Sequence, residues 1–86
     1  MSSPEILMYV KGTCPYCTAA QRLLQAKGVS WEEVSLLSEP QRREEMIERS
    51  GRQTVPQIFI GETHVGGFDD LNALDQEGRL DRLLGV

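Results

Sequence analysis

Eighty-six residues with 40% hydrophobic content suffice for one small domain, expected to span residues 1–86, that buries a single core without covalent staples. Thirteen acidic residues against nine basic ones leave a net charge of −4, which argues against a nucleic-acid or anionic-membrane footprint, so any anion site has to be local. Residues 1–4 lead straight into a strand pattern, with no charged leader, signal-length apolar segment or transmembrane candidate, and a reducing cytoplasm is the expected location.

The first predicted element is Ile6–Val10, whose unbroken Ile-Leu-Met-Tyr-Val reads as a strand covered on both faces and central to an α/β sheet. Lys11-Gly12-Thr13 makes a turn, and Ala19, Ala20, Leu23 and Leu24 form the packing stripe of a helix closed by Gly28. Between them lies Thr13-Cys14-Pro15-Tyr16-Cys17-Thr18, which holds both cysteines of the chain where a strand hands over to a helix. The first N–H groups of a helix lack intrahelical partners and carry partial positive charge, so a thiolate placed there is stabilised. A free cysteine pKa near 8.5 falls to roughly 3.5–7.5 in such settings. Pro15 suits the first helical position, where its missing N–H had no partner to lose.

Redox chemistry is the reading this context favours over three others. A structural zinc site wants four ligands, and Cys14, Cys17 and His64 are the only conventional nitrogen or sulfur donors. A disulfide across so short a loop removes little chain entropy. Two cysteines packed in a core are the bland alternative, for which Pro15-Tyr16 at a turn is an odd setting.

Residues 31–36 read as a weaker second strand, packing through Trp31 and Val34. Ser38 and Gln41 have capping-box spacing, with Pro40 in the first turn of a helix that buries Met46 and Ile47, pairs Glu45 with Arg49 and ends at Gly51. Gln57–Ile60, the turn Gly61-Glu62 and residues 63–65 read as a β-hairpin, with His64 at the surface for want of a partner. After Gly66-Gly67, Asp69 or Asp70 caps a helix carrying Leu71, Ala73 and Leu74 and ending at Gly78, and Leu80–Leu84 is a short amphipathic helix. The order β-α-β-α-β-β-α, with this last helix, fits a four-stranded mixed sheet flanked by helices. The dithiol then lies at the carboxyl end of a strand, where open α/β sheets place their sites.

Cys14-Pro15-Tyr16-Cys17 after the first strand, Thr54-Val55-Pro56 before the hairpin, and Gly66-Gly67 with Asp69-Asp70 after it together resemble the glutaredoxins over nearly the whole chain. The chain is most similar to the small bacterial dithiol members, which share the Thr-Val-Pro-Gln-Ile-Phe-Ile stretch of residues 54–60. Thioredoxins are less similar, since Thr13 stands where their tryptophan precedes the dithiol.

The resemblance implies a thioredoxin fold and an enzyme that reduces disulfides with glutathione as co-substrate and without a metal. It makes Cys14 the nucleophile and Cys17 the resolving thiol, and it turns Tyr16 into the pocket, where the residue is otherwise an exposed turn aromatic. It implies a cis Pro56, with Val55 offering a backbone edge to the cysteinyl part of glutathione and Thr54 supporting the segment. The backbone of Gly67, Phe68 and Asp69 is expected to take the γ-glutamyl carboxylate and the Asp70 side chain the ammonium, the alternative for either aspartate being a helix cap. Lys11 is expected both to lower the thiol pKa and to pair with the glycine carboxylate, and Arg43 to help there or to lie on solvated surface. Phe68 departs from the many relatives that carry a further cysteine after Gly-Gly, which makes this corner more apolar.

Two routes follow for such an enzyme, a monothiol route through Cys14 for glutathione mixed disulfides and a dithiol route through Cys14 and Cys17 for protein disulfides. Glutathionylated or disulfide-containing proteins are the expected partners of a monomer. The resemblance admits ribonucleotide reductase among them, although no residue selects it. The alternative is an iron-sulfur carrier sharing a cluster between two chains through Cys14 and glutathione, which Pro15-Tyr16 and a competing Cys17 disfavour. A redox-inert adaptor is the third reading, and an intact dithiol argues against it.

Overall fold

A computed structural model of the protein describes residues 4–86, so residues 1–3, read as leading into the first strand, lie outside the described residues. The first strand, β1 (Ile6–Val10), shows why its sequence is apolar throughout. Ile6, Met8 and Val10 join one core cluster, while Leu7 and Tyr9 face a second on the opposite side of the sheet. β2 (Glu32–Ser35) pairs parallel to β1, β3 (Gln57–Ile60) pairs antiparallel to it, and β4 (Thr63–Gly66) closes the sheet in the order β2-β1-β3-β4. This is the mixed four-stranded sheet expected from the sequence.

The helices divide between its faces. Helices α1 (Pro15–Ala26), α3 (Phe68–Gln76) and α4 (Leu80–Leu84) bury Ala20, Leu24, Leu71, Leu80 and Leu84 in the larger cluster. Helix α2 (Arg43–Ser50) lays Met46 on the other face against Tyr9, Val34, Leu36 and Phe59. There the Tyr9 hydroxyl, the polar tip of a buried aromatic, meets the Glu45 carboxylate and accepts from Arg49 Nη1 at 3.3 Å. Arg49 also stacks its guanidinium 4.6 Å from the Phe59 ring centre. The expected Glu45–Arg49 pair is therefore replaced. Glu45 binds Arg42 Nη2 at 2.8 Å, because Arg49 is drawn over the sheet by Phe59 and Tyr9.

Three other local expectations are corrected. Ser38 does not cap α2: a 3-10 turn, Pro40–Arg42, precedes the helix, with Glu39 at its cap position and no side-chain cap bond. The cause is Pro40, which holds Glu39 out of the helical region and removes an N–H that a Ser38 cap would have bound. Neither Asp69 nor Asp70 is the N-cap of α3, a place taken by Gly67; Asp70 is the third helical residue and accepts the Gly67 N–H at 3.0 Å. His64 is half-buried, its ring 4.8 Å from that of Phe59 and its Nε2 2.9 Å from Oε1 of the fully buried Gln57.

The strand directions bring the chemistry to one edge of the sheet. β1 and β2 end there, and β3, running the other way, begins there, with Gln57 opposite Tyr9. β4 returns to the same edge through a bulge, Phe59 pairing with His64 but Ile58 with Gly66, and this re-aims Gly66 and Gly67 toward the start of β3. Among the described residues no helix is long and apolar enough to cross a membrane.

Candidate active site

Cys14 is the N-cap residue of α1 and Pro15 its first helical residue, as the sequence predicts. Both cysteines are free thiols in different surroundings: Cys14 is half-buried at the edge, and Cys17, one turn further in, is only 2% exposed. The Cys14 thiol is lowered from its ordinary value, first by the backbone N–H of Cys17 and then by the Cys17 thiol and the Tyr16 N–H, with slight burial opposing. Cys17 is pushed up to about 11, first by burial and then by the neighbouring Cys14 and Glu33, while the Lys11 backbone opposes. The N–H groups at the helix end favour the Cys14 thiolate, and Lys11 is exposed on the preceding turn.

In single-cysteine variants the alkylation rate of Cys14 should rise with a midpoint below that of free cysteine, and that of Cys17 with a midpoint above it. The N–H of Cys17 that lowers Cys14 survives a Cys17→Ser exchange, since it is backbone. Equal midpoints would refute the split.

Beside the dithiol runs a groove of about 340 Å³ that gathers Tyr16, Thr54, Val55, Pro56, Gly67, Phe68, Asp69 and Asp70 from the expected site residues. Tyr16 is 60% exposed, with its ring centre 6.4 Å from that of Phe68, so the two aromatics form an open apolar wall. The Val55-Pro56 peptide is cis. Gln57 secures this segment from below, its Nε2 donating to the Thr54 carbonyl at 3.0 Å and to the Thr54 hydroxyl at 3.3 Å, while His64 holds its other amide atom. At the far end the Asp70 carboxyl is lowered from its ordinary value by Arg52 first and the Gly67 N–H second.

Lys11 and Arg43 are exposed and outside this lining. Arg52, which sequence reasoning passed over, is inside it, donating from Nη1 to Asp70 Oδ2 at 2.8 Å. Nothing in the sequence pattern links residues 18 positions apart across a strand and a hairpin. Among the described residues no three His, Cys, Asp or Glu side chains converge as a metal site.

The glutaredoxin family model matches residues 6–65 of the chain. Glutaredoxin 3 of Escherichia coli is 57% identical over 84 residues, covering 98% of this chain and 99% of that protein. The solution structure of a glutaredoxin from Brucella melitensis superposes with a TM-score of 0.84 at 51% identity, over 98% of this chain and 91% of that one. A buckwheat glutaredoxin-glutathione complex gives a TM-score of 0.88 at 27% identity, over 96% of this chain and 77% of that one. With its motifs, its thioredoxin fold and these likenesses, the chain belongs to the glutaredoxin family and is a glutathione-dependent thiol-disulfide oxidoreductase.

Proposed function

We propose that the protein reduces glutathione mixed disulfides through Cys14 alone and protein disulfides through Cys14 and Cys17 together, as a monomeric single domain of residues 1–86 in a reducing cytoplasm. The observation that carries this is the contrast between two thiols one helical turn apart, Cys14 lowered at the helix end and Cys17 raised in the core, beside an open groove of about 340 Å³. In the first route the Cys14 thiolate attacks the glutathione sulfur of the mixed disulfide. The substrate sulfur leaves as a thiolate and takes a proton from water, and glutathione stays on Cys14. A second glutathione thiolate then attacks that glutathione sulfur, giving glutathione disulfide and restoring the Cys14 thiolate. In the second route Cys14 is joined to the substrate protein instead, and Cys17, on losing its proton, attacks Cys14 to release the substrate and leave an internal disulfide that two glutathiones reduce.

In this reading glutathione lies along the groove as an added strand on the Val55 backbone, its γ-glutamyl end at the start of α3 and its glycine carboxylate toward the Cys14 end. The Phe68 and Asp69 N–H groups face the γ-glutamyl carboxylate and Asp70 the ammonium. Lys11, and more remotely Arg43, would reach the glycine carboxylate from outside the lining. The glutathione carried by the buckwheat relative supports such a ligand.

Turnover of a small glutathione mixed disulfide, coupled to glutathione reductase, tests the reading. The expected result is glutathione-dependent turnover, with Asp70→Ala raising the apparent KM while leaving Cys14 alkylation nearly unchanged, since it removes binding rather than nucleophilicity. No turnover by the unaltered protein would overturn the reading, and an unchanged KM would return Asp70 to the first turn of α3.

A further inference from the structure

Gln57 is the one polar residue among those described that is fully buried, and its amide is completely engaged, the nitrogen with the carbonyl and hydroxyl of Thr54 at 3.0 and 3.3 Å and the oxygen with His64 at 2.9 Å. The Thr54 carbonyl can only accept, so the amide nitrogen must face it and the amide oxygen must face His64. The proton between Gln57 and His64 therefore belongs to His64 Nε2, and the His64 ring is itself seated against Phe59. Gln57 opens β3 opposite Tyr9 of the central strand, so the sheet aims its side chain while His64 fixes its far amide atom.

What this arrangement holds is a peptide plane. The Thr54-Val55 peptide is trans, so its C=O and N–H point opposite ways. With the Thr54 C=O drawn into the interior by Gln57, the Val55 N–H is turned the other way, where Val55 lines the groove and where that N–H has no partner among the described residues. Pro56 has no N–H to offer. The Val55 N–H is thus the backbone donor that this stretch presents to a strand added along the groove. We infer that Gln57 is a positioning residue for the disulfide chemistry, braced by His64, and that it fixes the Thr54-Val55 peptide plane so that the Val55 N–H meets the backbone of the glutathione cysteinyl residue. The inference rests on the reading of the groove given above and adds to it two residues that lie outside the groove lining.

The test loads Cys14 with glutathione in the Cys17→Ser protein, which cannot resolve the adduct internally, and follows the Val55 amide by NMR. Steady-state turnover of the small mixed disulfide is measured beside it in proteins that keep Cys17. On loading, the Val55 amide proton should move downfield. Gln57→Met, similar in volume but without donors, should lose most of that shift and raise the apparent KM by roughly two- to tenfold, the worth of one hydrogen bond. The pH profile of Cys14 alkylation should stay in place, because the N–H groups of α1 set it. His64→Phe keeps a ring against Phe59 but strands the Gln57 oxygen, so it should give a smaller loss in the same direction. His64→Gln, whose amide nitrogen can stand where Nε2 stood, should restore the shift. The double variant Gln57→Met/His64→Phe should be no worse in KM than Gln57→Met, since His64 acts through Gln57. A full Val55 shift in Gln57→Met, with only the melting temperature lowered, would make Gln57 a filler of the core and overturn the inference. If Gln57→Met does not fold, a full shift in His64→Phe overturns it instead. No Val55 shift in the Cys17→Ser protein itself would mean that glutathione does not pair with this edge, and the reading of the groove would fall first and this inference with it.

Discussion

Cys17→Ser is expected to keep or raise turnover of a small glutathione mixed disulfide, and to stall on a protein disulfide unless glutathione substitutes for the missing thiol. Cys14→Ser is expected to lose both activities. The asymmetry follows from position. Cys14 sits at the end of α1 with helix N–H groups facing its sulfur, so it alone is both activated and accessible. Cys17 is buried and raised, a poor nucleophile toward anything in solution. Once a substrate is attached to Cys14, however, Cys17 attacks within the same molecule, where effective concentrations far exceed those of any dissolved thiol. The mixed-disulfide route never needs that step, because free glutathione resolves the Cys14 adduct. Assaying both variants on both substrates separates the routes. A Cys17→Ser protein as inactive on mixed disulfide as Cys14→Ser would end the division of labour.

What the sequence disclosed and what it hid divide along chain distance. The strand Ile6–Val10, the dithiol at its exit, Pro15 opening α1 and the hairpin of β3 and β4 are written in short runs of adjacent residues, where periodicity and turn chemistry operate. The groove was legible because its parts are motifs in themselves, and the strand directions then bring residues 54–56 and 66–70 to the same edge. Contacts across that edge were not legible. Arg52 with Asp70, Gln57 with His64, and Arg49 with Tyr9 and Phe59 each join residues on different segments, and no pattern within one segment names its partner on another. Ser38 failed for a local reason, since its capping spacing was real but Pro40 overrode it. Gly66-Gly67 stands in the sequence as a single motif, and the structure shows two residues under different constraints.

That difference leads to the second large effect, at a position with no side chain. Gly66 has φ +114°, a conformation that L-residues avoid, whereas Gly67 is at φ −91°, open to any residue. A Cβ on Gly67 would rest 3.5 Å from the Pro56 carbonyl, an ordinary contact, while one on Gly66 would press into Asp70 and Arg52. Gly66→Ala should therefore be destabilising by about 1–3 kcal/mol from backbone strain alone. For a domain of this size that lowers the melting temperature by roughly 4–8 °C per kcal/mol. Asp70 can escape the new methyl only by rotating away, which gives up the Gly67 N–H and Arg52 together, so the apparent KM for glutathione mixed disulfide should rise at least as far as in Asp70→Ala. Gly67→Ala should do much less on both counts. Combining Gly66→Ala with Asp70→Ala removes the clash but keeps the strained φ, so the double variant should be less destabilised than the sum of the single ones. Thermal melts and steady-state kinetics on the unaltered protein and the four variants measure this, and strict additivity in the double variant would show that Gly66 serves the backbone alone and not the seat of Asp70.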